Sequence, residues 1–366
     1  MRTTAYITVF AAFSVMLITA YSCKKENNNT SKGVEYDNTP YVLEYGTFPA
    51  PTIAQDNPLT AQGVKLGRML FYEKMLSKDG SLACAGCHRQ EHAFTDTAKF
   101  SVGVRGLNGK RQAMTIFNMA WHSNEFFWDG RSHLLRDQSL KPIQDELEMD
   151  ETLANIVSKL NQSQTYKDQF VRAFGSEEIT PLKISLAMEQ FMNSIVSNKS
   201  KYDLYLEGKA QLTPAEQRGR ILFFKEFNPF FPDSSGADCA HCHGGDNFEN
   251  DQYMNNGLDD NAGITDIGRE KVTNKAGDKA KFKVPSLRNI ALTAPYMHDG
   301  RFTTLEQVVE HYNSGLKQSA TLDPALQQTI SQGLLLDAQE KADLVAFLKT
   351  LTDETLTKDS RYSSPF

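Results

Sequence analysis

The chain has 366 residues, with 39 Lys+Arg against 45 Asp+Glu and a formal charge of −6. Hydrophobic residues at 40% and charged residues at 23% give the balance of a folded protein of about two domains. A mean hydropathy of −0.46 excludes a polytopic membrane protein, and the acidic balance (pI ≈ 5.8) offers no basic face to a nucleic acid.

The N-terminus reads as an address followed by a tether. Arg2 precedes an apolar run from Ala5 to Ala20, shorter than the roughly 20 residues that span a bilayer. A charged start, an apolar stretch and small Ala20 and Ser22 are the marks of a secretory signal. Ala20-Tyr21-Ser22-Cys23 resembles a bacterial lipoprotein processing site, although Ala20 replaces the usual Leu and Tyr21 is bulky. The resemblance implies a leader over residues 1–22 and lipidation of Cys23. Residues 23–39, with KKENNNTS from Lys24 to Ser31, read as a flexible tether. By the same resemblance Lys24 points to the outer membrane. The expected place is the periplasmic side of the cell envelope, held to the membrane by a lipid anchor alone.

Beyond the tether an internal repeat begins. Leu59-Thr60, then Gly67-Arg68-Met69-Leu70-Phe71, leads to Cys84. Leu212-Thr213, then Gly219-Arg220-Ile221-Leu222-Phe223, leads to Cys239. Thr213 is a good N-cap, with Pro214 at the first helical position and Glu216 closing a capping box. Each half also ends on a helical pattern: Ile184, Ala187, Met188, Phe191 and Ile195 in the first, and Leu344, Phe347, Leu348 and Leu351 in the second. Strand signals are sparse. The reading is all-α, with two helical domains over residues 40–205 and 206–352 and a C-terminal tail over 353–366.

Five cysteines are present: Cys23, Cys84, Cys87, Cys239 and Cys242. The last four form Cys84-Ala85-Gly86-Cys87-His88 and Cys239-Ala240-His241-Cys242-His243. Cys-x-x-Cys-His suits covalent haem because one helical turn presents two thiols to the porphyrin vinyl groups and the next imidazole faces the iron. One structural zinc would leave both histidines unexplained. Redox disulfides would sit in a βαβ pattern that is missing, and structural disulfides rarely close so short a loop. Two c-type haems are therefore expected, with His88 and His243 as proximal ligands.

At this point the chain resembles the bacterial di-haem cytochrome c peroxidases, including their MauG-like branch. The resemblance runs from about Leu59 to Leu351. Its markers are Phe127-Trp128-Asp129-Gly130-Arg131, Pro142-Ile143-Gln144 with Glu148-Met149, the segment Phe282 to Asn289 (FKVPSLRN), and Leu292 to Gly300 (LTAPYMHDG). It implies two cytochrome c-like domains, the first carrying the peroxidatic haem and the second the electron-transfer haem. Many relatives carry a distal His where this chain has Val104, so the first haem is expected to be open. His92 lies four residues after His88 and stays on the proximal side; His122 and His133 read as ordinary histidines. The resemblance assigns Glu148 as the catalytic acid–base, Gln138 as the residue that orients peroxide and Trp128 as the electron relay between haems. Without it, Glu148 reads as part of a solvated acidic run, with Glu146 as a decoy, and Trp128 as a core aromatic.

The sixth ligand of the second haem is Met in the simplest relatives. Here that position is Tyr312, as in the MauG-like branch, with Met297 as the fallback. A phenolate is a hard donor and lowers the potential, so pre-reduction of this haem need not be the activating step. A calcium ion is usual between the domains, and Gln112 (where the family has Asn), Thr293 and Pro295 would be its residues. The expected function is a peroxidase reducing hydrogen peroxide with electrons from a small cytochrome c or cupredoxin. The alternatives are a MauG-like oxidase that modifies a partner protein and a di-haem electron-transfer cytochrome without turnover. A homodimer is in keeping with the family.

Overall fold

The computed structural model describes residues 33–231 and 234–366; the leader, the lipidation position Cys23 and most of the tether lie outside the described residues. In chain order the helices are α1 (Ala61–Tyr72), α2 (Cys84–Cys87), α3 (Leu135–Gln144), α4 (Leu153–Asn161), α5 (Gln164–Phe174), α6 (Pro181–Ser194) and α7 (Lys201–Leu206). They continue with α8 (Pro214–Phe224), α9 (Glu270–Thr273), α10 (Leu305–Glu310), α11 (Pro324–Gln327) and α12 (Ala338–Lys349). The strands among the described residues are β1 (Tyr253–Met254) and β2 (Phe282–Lys283), an antiparallel pair with Tyr253 opposite Lys283. The fold is helical and cytochrome c-like, as the sequence pattern implies.

Local chemistry starts these helices. Thr60 and Thr180 accept from the N–H groups of Gly63 and Lys183 at the entries of α1 and α6. The Thr213–Glu216 capping box forms at α8 with Pro214 at its first position, and Asp337–Glu340 forms another at α12.

Two apolar cores result. One is built on α1 and α6 with Phe71, Phe94, Phe170 and Phe191; the other on α8 and α12 with Phe223, Phe347 and Leu351. Tyr202 of α7 belongs to the second core, so the second packing unit begins slightly before residue 206. The segment 353–366 was expected as a tail, but Leu356 and Tyr362 are buried in the first core. Tyr72 Oη donates to Tyr362 O at 2.8 Å, and Gln90 Nε2 to Leu356 O at 2.9 Å.

The two helix pairs share one device. A Cβ on Gly67 would lie 1.9 Å from the carbonyl oxygen of Ala187 in α6, and a Cβ on Gly219 would lie 1.9 Å from that of Asp343 in α12. Only glycine allows these crossings. The halves are joined by two buried asparagines in left-handed conformation, Asn118 (φ 55) and Asn289 (φ 57). Each backbone N–H donates to the end of its own closing helix, to Ile195 O at 2.8 Å and Leu351 O at 2.9 Å. Their side chains meet at Ser197: Asn118 Nδ2 donates to its carbonyl and Asn289 Nδ2 to its hydroxyl.

Gly219→Ala is expected to destabilise the protein by about 1–3 kcal/mol or more, the range for overpacking. Gly277→Ala, where a Cβ meets nothing within 4 Å, is expected to stay within about 0.5 kcal/mol of wild type. Urea unfolding of the two variants side by side checks this, and equal midpoints would refute the close-crossing argument.

Candidate active site

A cavity of about 1480 Å³ is lined by Cys84, Cys87 and His88 and also by Cys239, Cys242 and His243. It exceeds the roughly 300–1,000 Å³ of an ordinary small-molecule site, so one space serves both motifs. Phe71, Trp128 and Phe223 are in its wall.

The donor atoms fit two haems. The four cysteines are free of disulfides, and burial pushes the Cys84 and Cys239 thiols up to about 12. His88 Nδ1 lies 3.1 Å from Phe94 O, and His243 Nδ1 lies 3.1 Å from Pro285 O. A carbonyl only accepts, so Nδ1 carries the proton and Nε2 keeps its lone pair for a metal. Burial also lowers both imidazoles' pKa, that of His243 to about 4, which holds them in the neutral, ligating form.

On the first-half side the wall carries Gln138 from α3, and Glu148. Burial, with the nearby Asp145 charge, pushes the Glu148 carboxyl up to about 7, against a smaller opposing effect of Arg131. Glu146 behaves differently: its side chain is 72% exposed and pairs with Arg105 at 3.0 Å. The loop holding Val104 packs on the Glu148 backbone, with Val104 N–H donating to Glu148 O at 2.9 Å. Ser101, Val102 and Gly103 line the cavity there. His133 is exposed, whereas His122 reaches the cavity wall but turns Nδ1 toward Glu249 and Asp251.

Trp128 is buried, its indole N–H donating to Gln112 O at 2.8 Å while its own carbonyl accepts from Lys283 N–H at 2.7 Å. It therefore touches both halves. Beside it Arg111 pairs with Asp129 at 2.6 Å and with Asp266 at 2.7 Å. Gln112, Thr293 and Pro295 all line the cavity, but Gln112 Nε2 donates to Thr95 Oγ1 at 2.9 Å and the Thr293 hydroxyl to Ile290 O.

On the second-half side Tyr312 sits in a π-helical turn, His311–Gly315, that follows α10; such turns are frequent at functional sites. Asn256 Nδ2 lies 3.3 Å from Tyr312 Oη and 3.3 Å from Met297 Sδ. Both candidate ligands thus meet at one amide. Burial pushes the Tyr312 phenol up to about 12, and Asn256 donation opposes this.

Sequence reasoning missed Asn256, which carries no motif, and it missed that the repeat continues. Trp128-Asp129-Gly130-Arg131 corresponds to His298-Asp299-Gly300-Arg301. Both segments close the same bridge, Phe126 with Ser132 and Tyr296 with Phe302. Phe127 and Met297 share a positive φ, as do Gly130 and Gly300. The shared Asp-Gly-Arg was the available signal. Carried forward in register, the repeat places Pro142 of α3 opposite Tyr312.

Residues 61–211 match the family described as di-haem cytochrome c peroxidase. A methylamine utilization protein MauG of Methylophilus methylotrophus is 33% identical over 308 residues, 83% of this chain and 86% of the relative. A cytochrome c551 peroxidase of Nitrosomonas europaea is 34% identical over 312 residues, 84% of each. Among solved structures, a MauG-like protein associated with microbial copper homeostasis superposes with a TM-score of 0.80 at 36% identity, covering 89% of this chain and 99% of that one. The chain belongs to the di-haem cytochrome c peroxidase family and is an oxidoreductase of that class.

Removing Arg111 tests how the wall is held. Burial works against the Asp129 charge, but Arg111 and Arg131 keep its carboxyl below the usual range. A depressed carboxylate contributes stability above its unfolded pKa, and that contribution is lost as pH falls through the folded one. Arg111→Met is expected to cost roughly 3 kcal/mol at pH 7 and progressively less below about pH 4. Urea midpoints measured across that range check both the cost and its sign.

Proposed function

We propose that the protein is a di-haem c-type peroxidase reducing hydrogen peroxide to water with electrons from an extracytoplasmic donor. The observation that carries this reading is the desolvated Glu148 carboxyl, with Gln138 also on the wall of a cavity shared by both Cys-x-x-Cys-His motifs. Cys84 and Cys87 would hold one haem and Cys239 and Cys242 the other, with His88 and His243 as proximal ligands. When bound, the first haem supplies an open iron position for peroxide and the second an electron path. Pro142, which has no ligating atom where the second half has Tyr312, supports that difference.

The rest falls to the chain's own groups. Glu148, ionised, accepts the proton of the inner peroxide oxygen and returns it to the departing one. Gln138 directs its amide to the same space and orients peroxide. Two electrons and two protons complete the conversion of one H₂O₂ to two H₂O. Trp128, bonded to both halves, would be the relay, and the donor is a small cytochrome c or cupredoxin. Tyr312 would hold the iron of the second haem through its phenol oxygen, with Met297 the alternative. Calcium at Gln112, Thr293 and Pro295 would be held through oxygens, with the Gln112 amide nitrogen turned to Thr95 and Asp96. Among the described residues no helix is long and apolar enough to cross a membrane; the proposed attachment is through lipidated Cys23.

A second reading, a MauG-like oxidase that modifies a partner protein, is favoured by Tyr312 and by the similarity to a methylamine utilization protein MauG and a MauG-like structure. It would draw the same two electrons through Trp128 from a protein side chain instead of a cytochrome.

With the Glu148 carboxyl near 7, its base form grows about tenfold per unit as pH rises toward that value and then levels. The kcat/KM for H₂O₂ is expected to follow that limb. Glu148→Gln should abolish the limb and lower the rate by about 10²–10⁴-fold; a variant with wild-type rate and profile sinks the assignment.

EPR of the ferric protein tests the second haem. One high-spin and one low-spin signal are expected, and only the low-spin signal should change in Tyr312→Phe. If Met297→Leu changes it and Tyr312→Phe does not, the ligand is Met297.

A further inference from the structure

Among the described residues, one group of three His, Cys, Asp or Glu side chains places its ligand atoms within 4.8 Å of one another: His122, Glu249 and Asp251. The proposed peroxidase chemistry uses none of them. We propose that these three residues form a binding site for a divalent transition-metal cation of the zinc type, bridging the two halves of the molecule.

The spacing points to one shared ion. His122 Nδ1 lies 3.4 Å from Glu249 Oε1 and 3.4 Å from Asp251 Oδ1. That is long for a hydrogen bond, whose usual range is about 2.7–3.2 Å. Two ligands each 2.0–2.1 Å from a tetrahedral ion are about 3.4 Å apart. Unmet bonding capacity points the same way. His122 Nδ1 and Glu249 Oε2 are both buried without a hydrogen-bond partner, on side chains only 8% and 5% exposed.

The remaining contacts orient the ligands. Asn247 Nδ2 donates to Glu249 Oε1 at 2.6 Å. Ser123 N–H and hydroxyl both donate to Asp251 Oδ2, at 2.7 and 2.8 Å. Partners of this kind hold ligating carboxylates in metal sites. Lys283 Nζ lies 2.7 Å from Asp251 Oδ1 and 3.1 Å from Glu125 O, so it neutralises one carboxylate. Glu249 has no lysine or arginine within 4 Å among the described residues; its ion-pair contact there is His122. A divalent ion would add positive charge beside this buried carboxylate. One imidazole with two carboxylates suits zinc-like ions, whereas calcium takes oxygen ligands alone. Ser123 is exposed, while His122 and Glu249 line the cavity shared by both motifs, so the site stands between the surface and that cavity.

His122 comes from the first half, and Glu249 and Asp251 follow the second Cys-x-x-Cys-His motif. A bound ion would clamp the haem-bearing loop of one half to the other.

The test uses haem-loaded protein, stripped with chelator and dialysed against Zn²⁺, with zinc and iron counted separately. Wild type should retain one zinc per chain, with one imidazole and carboxylate oxygens in its zinc-edge X-ray absorption. His122→Gln and Glu249→Gln should each weaken zinc binding at least about tenfold, with iron content reporting haem loading separately. The exposed-histidine variant His133→Gln should leave zinc binding unchanged. Zinc that survives undiminished in both cluster variants, or no bound zinc in wild type, overturns the proposal. Should a cluster variant fail to fold, the wild-type absorption decides: a shell without imidazole refutes the site. Iron content and peroxide turnover report separately on the haem reading.

Discussion

Each half of this protein hangs on a place where two helices touch backbone to backbone. At Gly67 and at Gly219 the partner carbonyl, of Ala187 or Asp343, stands where a Cβ would be. That contact brings an aromatic pair together one turn further on: Phe71 with Phe191 at 5.3 Å and Phe223 with Phe347 at 5.2 Å. Phe71 and Phe223 are also cavity-wall residues. The helix crossing, the aromatic pair and the wall against which a porphyrin would lie are thus one construction made twice. A side chain at either glycine would push the helices apart and the wall with them.

On that common scaffold the chemistry has diverged at matched positions. The Asp-Gly-Arg turn is retained in both halves, so the residues before it are displayed alike: Phe127-Trp128 in one, Met297-His298 in the other. The same backbone presents an indole that donates to Gln112 O in the first and a stack of His298 on Phe282, 3.6 Å between centroids, in the second. Further along, Pro142 faces Tyr312 across the repeat. A closed ring with no donor stands in one half and a phenol in the other. The asymmetry that a peroxidase needs, one open and one filled position, is the expected product of changing a few side chains on an unchanged frame.

Much of this was legible in the sequence because it rests on local chemistry. Thr213, Pro214 and Glu216 specify a helix start through bonds within one turn, and Cys-x-x-Cys-His specifies a geometry in five residues. The features that were hidden depend on distant partners. Leu356 and Tyr362 look like an ordinary tail, and only the surface of α1 and the loop after His88 make them core. Glu146 and Glu148 are indistinguishable as letters. One reaches Arg105 at the surface, and the other faces a desolvated cavity that raises its pKa toward neutrality. His122 read as an ordinary histidine because Glu249 and Asp251, far away in the chain, give it its surroundings.

Asn256 shows how finely the second site is balanced. Its amide nitrogen is equidistant, at 3.3 Å, from the Tyr312 phenol and the Met297 thioether. A donated hydrogen bond stabilises a phenolate far more than a thioether, since charge-assisted bonds are about twice as strong as neutral ones and sulfur is a weak acceptor. The phenol is buried and would otherwise resist losing its proton. One amide placed between the two side chains therefore biases the pair toward the oxygen donor, without excluding the sulfur by distance. In the proposed second haem site, ligand choice would then be set as much by a residue without a motif as by the tyrosine itself.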